Sequence, residues 1–211
     1  ASELKKYNGN SFEELVYRVM VEISIGTYYE GKIEHTGALS FPDIIIPIDK
    51  LGIEVKYTAS DKWVSIGNSI LESTRKKEIE RIYIFFGKGG GTPDIKYALY
   101  QDCISEILVT HSPRYKIDMK LNEDDSIFNK MQISYDEFRL GDPISVARNY
   151  YRSTLKEGED IWWISDDENS STSSMVIKMY TNLDPVEQES FKVESLILFP
   201  ELMGSSRSKY N

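Results

Sequence analysis

Asp43, Glu54 and Lys56 are the residues whose types and spacing could do chemistry together. Asp43 follows Phe41-Pro42, and after ten intervening residues come Glu54-Val55-Lys56. Two carboxylates and one ammonium form a natural seat for a hard divalent cation with an oxyanion beside it. Residues i and i+2 of a strand share a face, so Glu54 and Lys56 are expected to point one way and Val55 the other, into a core. The residues between read as a tight hairpin. Ile44-Ile45-Ile46-Pro47-Ile48 is the first strand, Asp49-Lys50-Leu51-Gly52 the turn, and Ile53 opens the second strand. Such a hairpin brings Asp43 and Glu54 close enough to share a cation.

The chemistry that suits this set is phosphodiester hydrolysis. It needs an activated water, neutralised charge on the scissile phosphate and a stabilised leaving oxygen. Asp43 and Glu54 suit Mg²⁺, which takes oxygen ligands from one or two carboxylates plus water and phosphate, with Mn²⁺ as a substitute. The backbone carbonyl of Val55 is a further candidate ligand. Lys56 is placed to orient the attacking water and offset charge on the phosphorane-like transition state.

Elements on either side must position these groups. Phe12, Leu15, Val16, Val19, Met20 and Ile23 recur at helical spacing, which predicts an amphipathic helix over 11–24 with Asn10 or Ser11 as N-cap. Glu13 lies at the flank of its apolar stripe and Glu14 nearer the back. Acids in a first turn commonly serve the helix dipole; the flank position favours Glu13 for reaching a neighbouring sheet, with Glu14 left open as the alternative. A short strand is expected over 32–36. After Lys56, the spacing of Ile66, Ile70, Leu71 and Thr74 predicts a helix over 64–75. Ser65, Asn68 and Ser69 at its start would form a phosphate seat, although N-capping with Gly67 as a packing concession explains them equally. Lys62 in the preceding loop, and Arg75 with Lys76, Lys77 and Arg81, are candidate DNA contacts or a solvated helix end. Residues 81–86 read as a buried strand. Residues 87–91 read as a flexible loop, since Gly-Lys-Ser/Thr spacing is missing. Further on, strands are expected over 107–110, 115–119, 160–164, 175–179 and 193–199, and a helix over 145–152. His111 reads as a loop residue, 166–174 as a polar linker and 204–211 as a frayed tail.

Composition bounds the rest. The 211 residues, 40% apolar, suffice for one domain or one domain with an appendage. No window approaches the roughly 18 apolar residues of a membrane span, so no membrane association is expected. No apolar block follows Ala1-Ser2-Glu3-Leu4-Lys5-Lys6, so no signal peptide is expected either. A start at Ala1 rather than Met suggests processing, a tag remnant or a fragment. The single cysteine, Cys103, excludes an intrachain disulfide and points to a reducing, cytoplasmic setting. One cysteine and two histidines also argue against a structural zinc site or a thiol protease. The net charge of −9 opposes nucleic acid as a whole, but it is unevenly spread. Residues 51–96 hold eight Lys/Arg against six Asp/Glu, whereas residues 101–211 hold 12 against 20. DNA contacts are therefore expected from local basic patches.

Pro42-Asp43 followed by Glu54-Val55-Lys56 at the end of a hairpin resembles the PD-(D/E)XK nuclease signature. Gly9-Asn10-Ser11-Phe12-Glu13 resembles the Gly-x-x-Phe-Glu opening helix of Mrr-type restriction nucleases and archaeal Holliday-junction resolvases. The resemblance spans roughly residues 9–87. It implies an α/β fold with a restriction-endonuclease-like core, a mixed central sheet flanked by helices, over residues 1–90. Residues 91–211 would be a C-terminal α+β elaboration for DNA recognition or dimerisation, possible as part of the same domain. It further implies Glu13 as an auxiliary acid near the metal, and a Mg²⁺-dependent endonuclease of a restriction system. The partner would be double-stranded DNA and the state a homodimer, because cutting both strands needs two sites. A structure-specific repair or junction nuclease, and a catalytically silent DNA-binding module, are the alternatives.

Overall fold

The computed structural model describes residues 2–37, 40–109, 112–156 and 185–198. After a 3₁₀ turn, helix α1 (Gly9–Ser24) leads to strands β1 (Glu34–His35), β2 (Ile44–Ile46) and β3 (Leu51–Thr58). Then follow β4 (Val64–Ser69), β5 (Arg81–Lys88), β6 (Asp94–Leu99), β7 (Ile104–Val109) and β8 (Pro113–Asp118). Helices α2 (Ile127–Met131), α3 (Tyr135–Leu140) and α4 (Pro143–Thr154) complete this part, and α5 (Pro185–Leu198) lies further on. One sheet has the order β1-β2-β3-β5-β6 and a second the order β4-β8-β7. β3 and β5 are parallel and the remaining pairs antiparallel. The protein is thus mixed α/β with a mixed central sheet.

α1 begins earlier than its pattern suggests because Asn8 is the cap. The Ser11 N–H donates to Asn8 Oδ1 at 3.0 Å and the Asn8 N–H donates to Ser11 Oγ at 2.9 Å. This reciprocal box satisfies two otherwise orphaned donors. The helix lays Phe12 and Val16 on one face of the large sheet, against Ile44, Val55 and Leu4. Gly87 of β5 makes the close approach possible, since a Cβ there would run into the Phe12 ring. The opposite face presents Ile45, Ile82, Ile84 and Phe86, and these join Trp63, Tyr115 and Ile117 of the second-sheet region and Phe128, Tyr135 and Phe138 of α2 and α3 in one buried core.

A parallel pair needs a crossover connection, and here residues 59–80 supply it with a strand. The helix expected over 64–75 is not formed: residues 64–69 are β4, paired with β8 through Val64↔Asp118, Ser65↔Ile117 and Ser69↔Arg114. The apolar spacing was coincidental. Ile66 and Leu71 are exposed while Ile70 is fully buried, so they do not form one stripe. Gly67 is held against Tyr100, Tyr115 and Ile117, where a Cβ would not fit. Partnership with β8 overrides a weak local helical pattern.

The first strand of the hairpin is shortened by Pro47, which opens a 3₁₀ turn over Pro47–Asp49, and β3 already begins at Leu51. Gly87 and Lys88, expected in a loop, end β5. β6, α2 and α3 were not anticipated; β6 pairs with β5 and β8 with β4, so both sheets take strands from either side of residue 90. The chain forms two compact units, residues 1–165 and 166–211. In the second, residues 193–198 are the end of α5 rather than a strand. A short apolar run such as Leu196-Ile197-Leu198 suits either element, and Pro185 at the first helical position with Glu187 and Glu189 behind it favours the helix. His111, the strands expected over 160–164 and 175–179, the linker over 166–174 and the tail lie outside the described residues. None of the described helices is long and apolar enough to cross a membrane.

Candidate functional site

Asp43 stands where the β2–β3 ladder stops. The last register pair is Ile44↔Ile53, and beyond it the Asp43 side chain replaces the strand: the Val55 N–H donates to Asp43 Oδ2 at 2.7 Å. N–H and C=O of one strand residue leave by the same edge, so the Val55 carbonyl is directed to this edge too. The backbone of Asp43 is anchored from the other side, its carbonyl accepting from the Thr36 N–H at 2.9 Å. The Thr36 hydroxyl donates to the Pro42 carbonyl at 2.7 Å. Gly52 lets Pro42 lie on β3, since a Cβ there would overlap the Pro42 ring. The crossover returns to brace this corner: Phe41 N–H donates to the Thr74 carbonyl at 3.2 Å and Lys76 N–H to the Phe41 carbonyl at 2.8 Å.

Glu54 and Lys56 share the face of β3 expected from their spacing, in register with Ile84 and Phe86, whereas Val55 packs toward α1. Glu54 is only 4% exposed. Lys56 Nζ donates to its Oε1 at 2.6 Å, and Oε2 is buried with no N–H or hydroxyl donor among the described residues, the neighbouring Asp43 carboxyl being the group it meets. An unsatisfied buried carboxylate oxygen is costly, so its presence needs a reason.

The site's electrostatics follow from burial. Burial, then the charge of Glu54, pushes the Asp43 carboxyl up to about 7, against the pull of Lys56 and the Val55 N–H; Glu13 adds a smaller upward push. Burial likewise raises Glu54, opposed by the charge and hydrogen bond of Lys56; Glu13 adds a smaller upward push, and a hydrogen bond with the Asp43 carboxyl a smaller downward one. Burial alone would lower Lys56, but the charge and hydrogen bond of Glu54, with Asp43 and Glu13, outweigh it and hold the ammonium above its usual value. Two carboxylates crowded so that both resist ionising are a site short of positive charge.

Glu13 joins them from α1. Its Oε1 lies 2.7 Å from Nε2 of His35 on β1, and its charge reaches Asp43, Glu54 and Lys56. Glu14 is exposed. His35 is the neighbour that spacing did not reveal. The signal lay in strand register, because β1 pairs with β2 through His35↔Ile44, one residue from Asp43.

The phosphate-binding set is not assembled as expected. Ser65, Asn68 and Ser69 lie on β4, so there is no helix N-terminus to seat a phosphate. The Asn68 N–H donates to the Tyr100 hydroxyl at 3.2 Å, and Ser69 Oγ accepts from the Leu71 N–H at 3.3 Å. Arg75 is an internal brace rather than a surface contact, its side chain only 6% exposed. Its guanidinium donates to Glu72 Oε2 and the Tyr135 hydroxyl, both at 2.9 Å, and to the Ile79 carbonyl at 3.0 Å. Lys62 is exposed in the loop between β3 and β4.

Among the described residues no group of three or more His, Cys, Asp or Glu side chains is arranged to hold a metal ion. Magnesium asks for less: one or two carboxylates, with water and phosphate filling the remaining positions. Asp43, Glu54 with its unpartnered Oε2 and the Val55 carbonyl fit that demand. No protein-family model and no curated protein matches the chain.

Proposed function

We propose that the protein is a Mg²⁺-dependent DNA endonuclease on a restriction-endonuclease-like core, acting as a homodimer on double-stranded DNA within a restriction system. One observation carries the reading: the buried, unpartnered Oε2 of Glu54 beside Asp43, with Lys56 on the other oxygen of the same carboxylate. Two crowded, buried carboxylates with one ammonium between them leave oxygen capacity that a hard cation would take up. Asp43 and Glu54, with the Val55 carbonyl, would hold the cation, and Mn²⁺ would substitute. When bound, the ion supplies Lewis-acid stabilisation of the phosphate and a more acidic water.

The chain's own residues do the rest. The Val55 N–H fixes one Asp43 oxygen, leaving the other for a ligand. Lys56, held as an ammonium by the surrounding acids, turns a donor to Glu54 and keeps others for an attacking water or a phosphate oxygen. Glu13 adds negative charge that favours cation entry. Supercoiled plasmid incubated with Mg²⁺ tests the reading: wild type should nick or cut it, and Asp43→Ala and Lys56→Ala should each lower the rate at least about a hundredfold. Glu13→Ala should impair cutting and Glu14→Ala should not. Full activity in both the Asp43 and Lys56 variants would sink the assignment. Sequenced ends at one motif support a restriction enzyme; preference for four-way junctions would replace it with a junction nuclease.

A further inference from the structure

We propose that His35 is a positioning residue of this site, acting through Glu13; the inference rests on the nuclease reading. β1 is short, Glu34–His35, yet it and the residue after it tie down both acids contributed from outside β3. Thr36 holds the backbone of Asp43, and the adjacent His35 holds Glu13 Oε1 at 2.7 Å. The imidazole is itself fixed by Tyr17 of α1, whose ring centroid lies 5.3 Å away. Glu13 and Tyr17 are one helical turn apart, so α1 presents both to the same imidazole.

The pairing matters because of where the Glu13 charge acts. It is felt by Asp43, Glu54 and Lys56 together, although its side chain keeps 26% exposure. A glutamate free to turn to solvent would spread that charge over several rotamers and lose it to water. The His35 hydrogen bond selects one rotamer, and with it one direction for the remaining oxygen. Histidine touches neither metal nor DNA in this role. Its contribution resembles that of the outer partners that orient metal-site ligands, whose loss lowers metal affinity or activity about 10–100-fold.

Three measurements test this. In the metal-free protein, the imidazole ¹⁵N resonances of His35 should move when Glu13 is replaced by Gln; the chain has two histidines, so the His35→Ala spectrum assigns them. Mg²⁺ affinity by calorimetry and kcat on plasmid should both fall about tenfold in His35→Ala, with KM for DNA little changed. His35→Gln, whose amide can donate from near the position of Nε2, should recover most of both. In a Glu13→Ala background His35→Ala should add nothing. Unmoved resonances overturn the proposal, as do additive losses or a His35→Gln variant as weak as His35→Ala. In each case a wild type that still cuts DNA leaves the nuclease reading standing. A wild type that neither binds Mg²⁺ nor cuts DNA overturns both.

Discussion

Replacing Asp43 by Asn should stabilise the metal-free protein above neutral pH while removing its response to Mg²⁺. In the folded chain the Asp43 carboxyl is raised from an ordinary 3.8 to about 7, by burial first and the Glu54 charge second. The sign follows from proton binding. Between these values the folded state keeps a proton that the unfolded chain has released, so stability falls as pH rises through the interval. Below it the group contributes nothing unfavourable; above about pH 7 the full penalty is present. At about 1.4 kcal/mol per tenfold change in the proton equilibrium, and after allowing for remaining solvent contact, that penalty is about 2–4 kcal/mol. Asparagine keeps an oxygen for the Val55 N–H and carries no charge. Glu54, also raised, acts in the same direction and remains in both proteins. Urea unfolding in EDTA, from about pH 4 to about pH 8, should give wild-type stability falling more steeply than that of Asp43→Asn, the curves separating by about 2–4 kcal/mol. Saturating Mg²⁺ at about a hundred times its Kd should return about 2.7 kcal/mol to wild type and nothing to the variant. Parallel pH curves, or equal Mg²⁺ stabilisation of both proteins, would refute the argument that Asp43 is a strained ligand waiting for a cation.

Two further substitutions test the scaffold. Gly87→Ala should cost about 1–3 kcal/mol, because the added methyl meets the Phe12 ring that seats α1 on the sheet; an unchanged Tm would show that α1 can shift freely. Tyr135→Phe removes the hydroxyl that donates to Glu72 Oε1 at 2.5 Å and accepts from Arg75 at 2.9 Å. It should cost about 1–3 kcal/mol in chemical denaturation, and a neutral result would remove the Arg75 network from the account of how the Phe41 corner is braced.

Part of this site was readable from the residues alone. The facing of Glu54 and Lys56 followed from the two-residue period of a strand, and their placement beside Asp43 from the hairpin that joins β2 to β3. Glu13 was favoured over Glu14 by its position beside the apolar stripe of α1, with both left open as the auxiliary acid; in the structure Glu13 is half-buried and Glu14 exposed. The crossover was not readable. Ile66, Ile70 and Leu71 carry helical spacing, and nothing local shows that Val64–Ser69 has a strand partner about fifty residues further on. Arg75 failed for the same reason: a basic cluster looks solvated until Glu72 and Tyr135 are seen around its guanidinium.

Local rules thus determined which side chains share a face, where α1 runs and which carboxylates stand at the mouth of one hairpin, because periodicity and turn chemistry act over a few residues. Tertiary structure alone decided that β4 crosses over in a second sheet, that Arg75 is spent inside the fold, and that His35 meets Glu13. Each of those depends on hydrogen-bond partners and burial supplied by segments distant in the chain. The unpartnered oxygen of Glu54 belongs to the same class, since only the packed surroundings determine whether a buried carboxylate is satisfied or left available to a ligand.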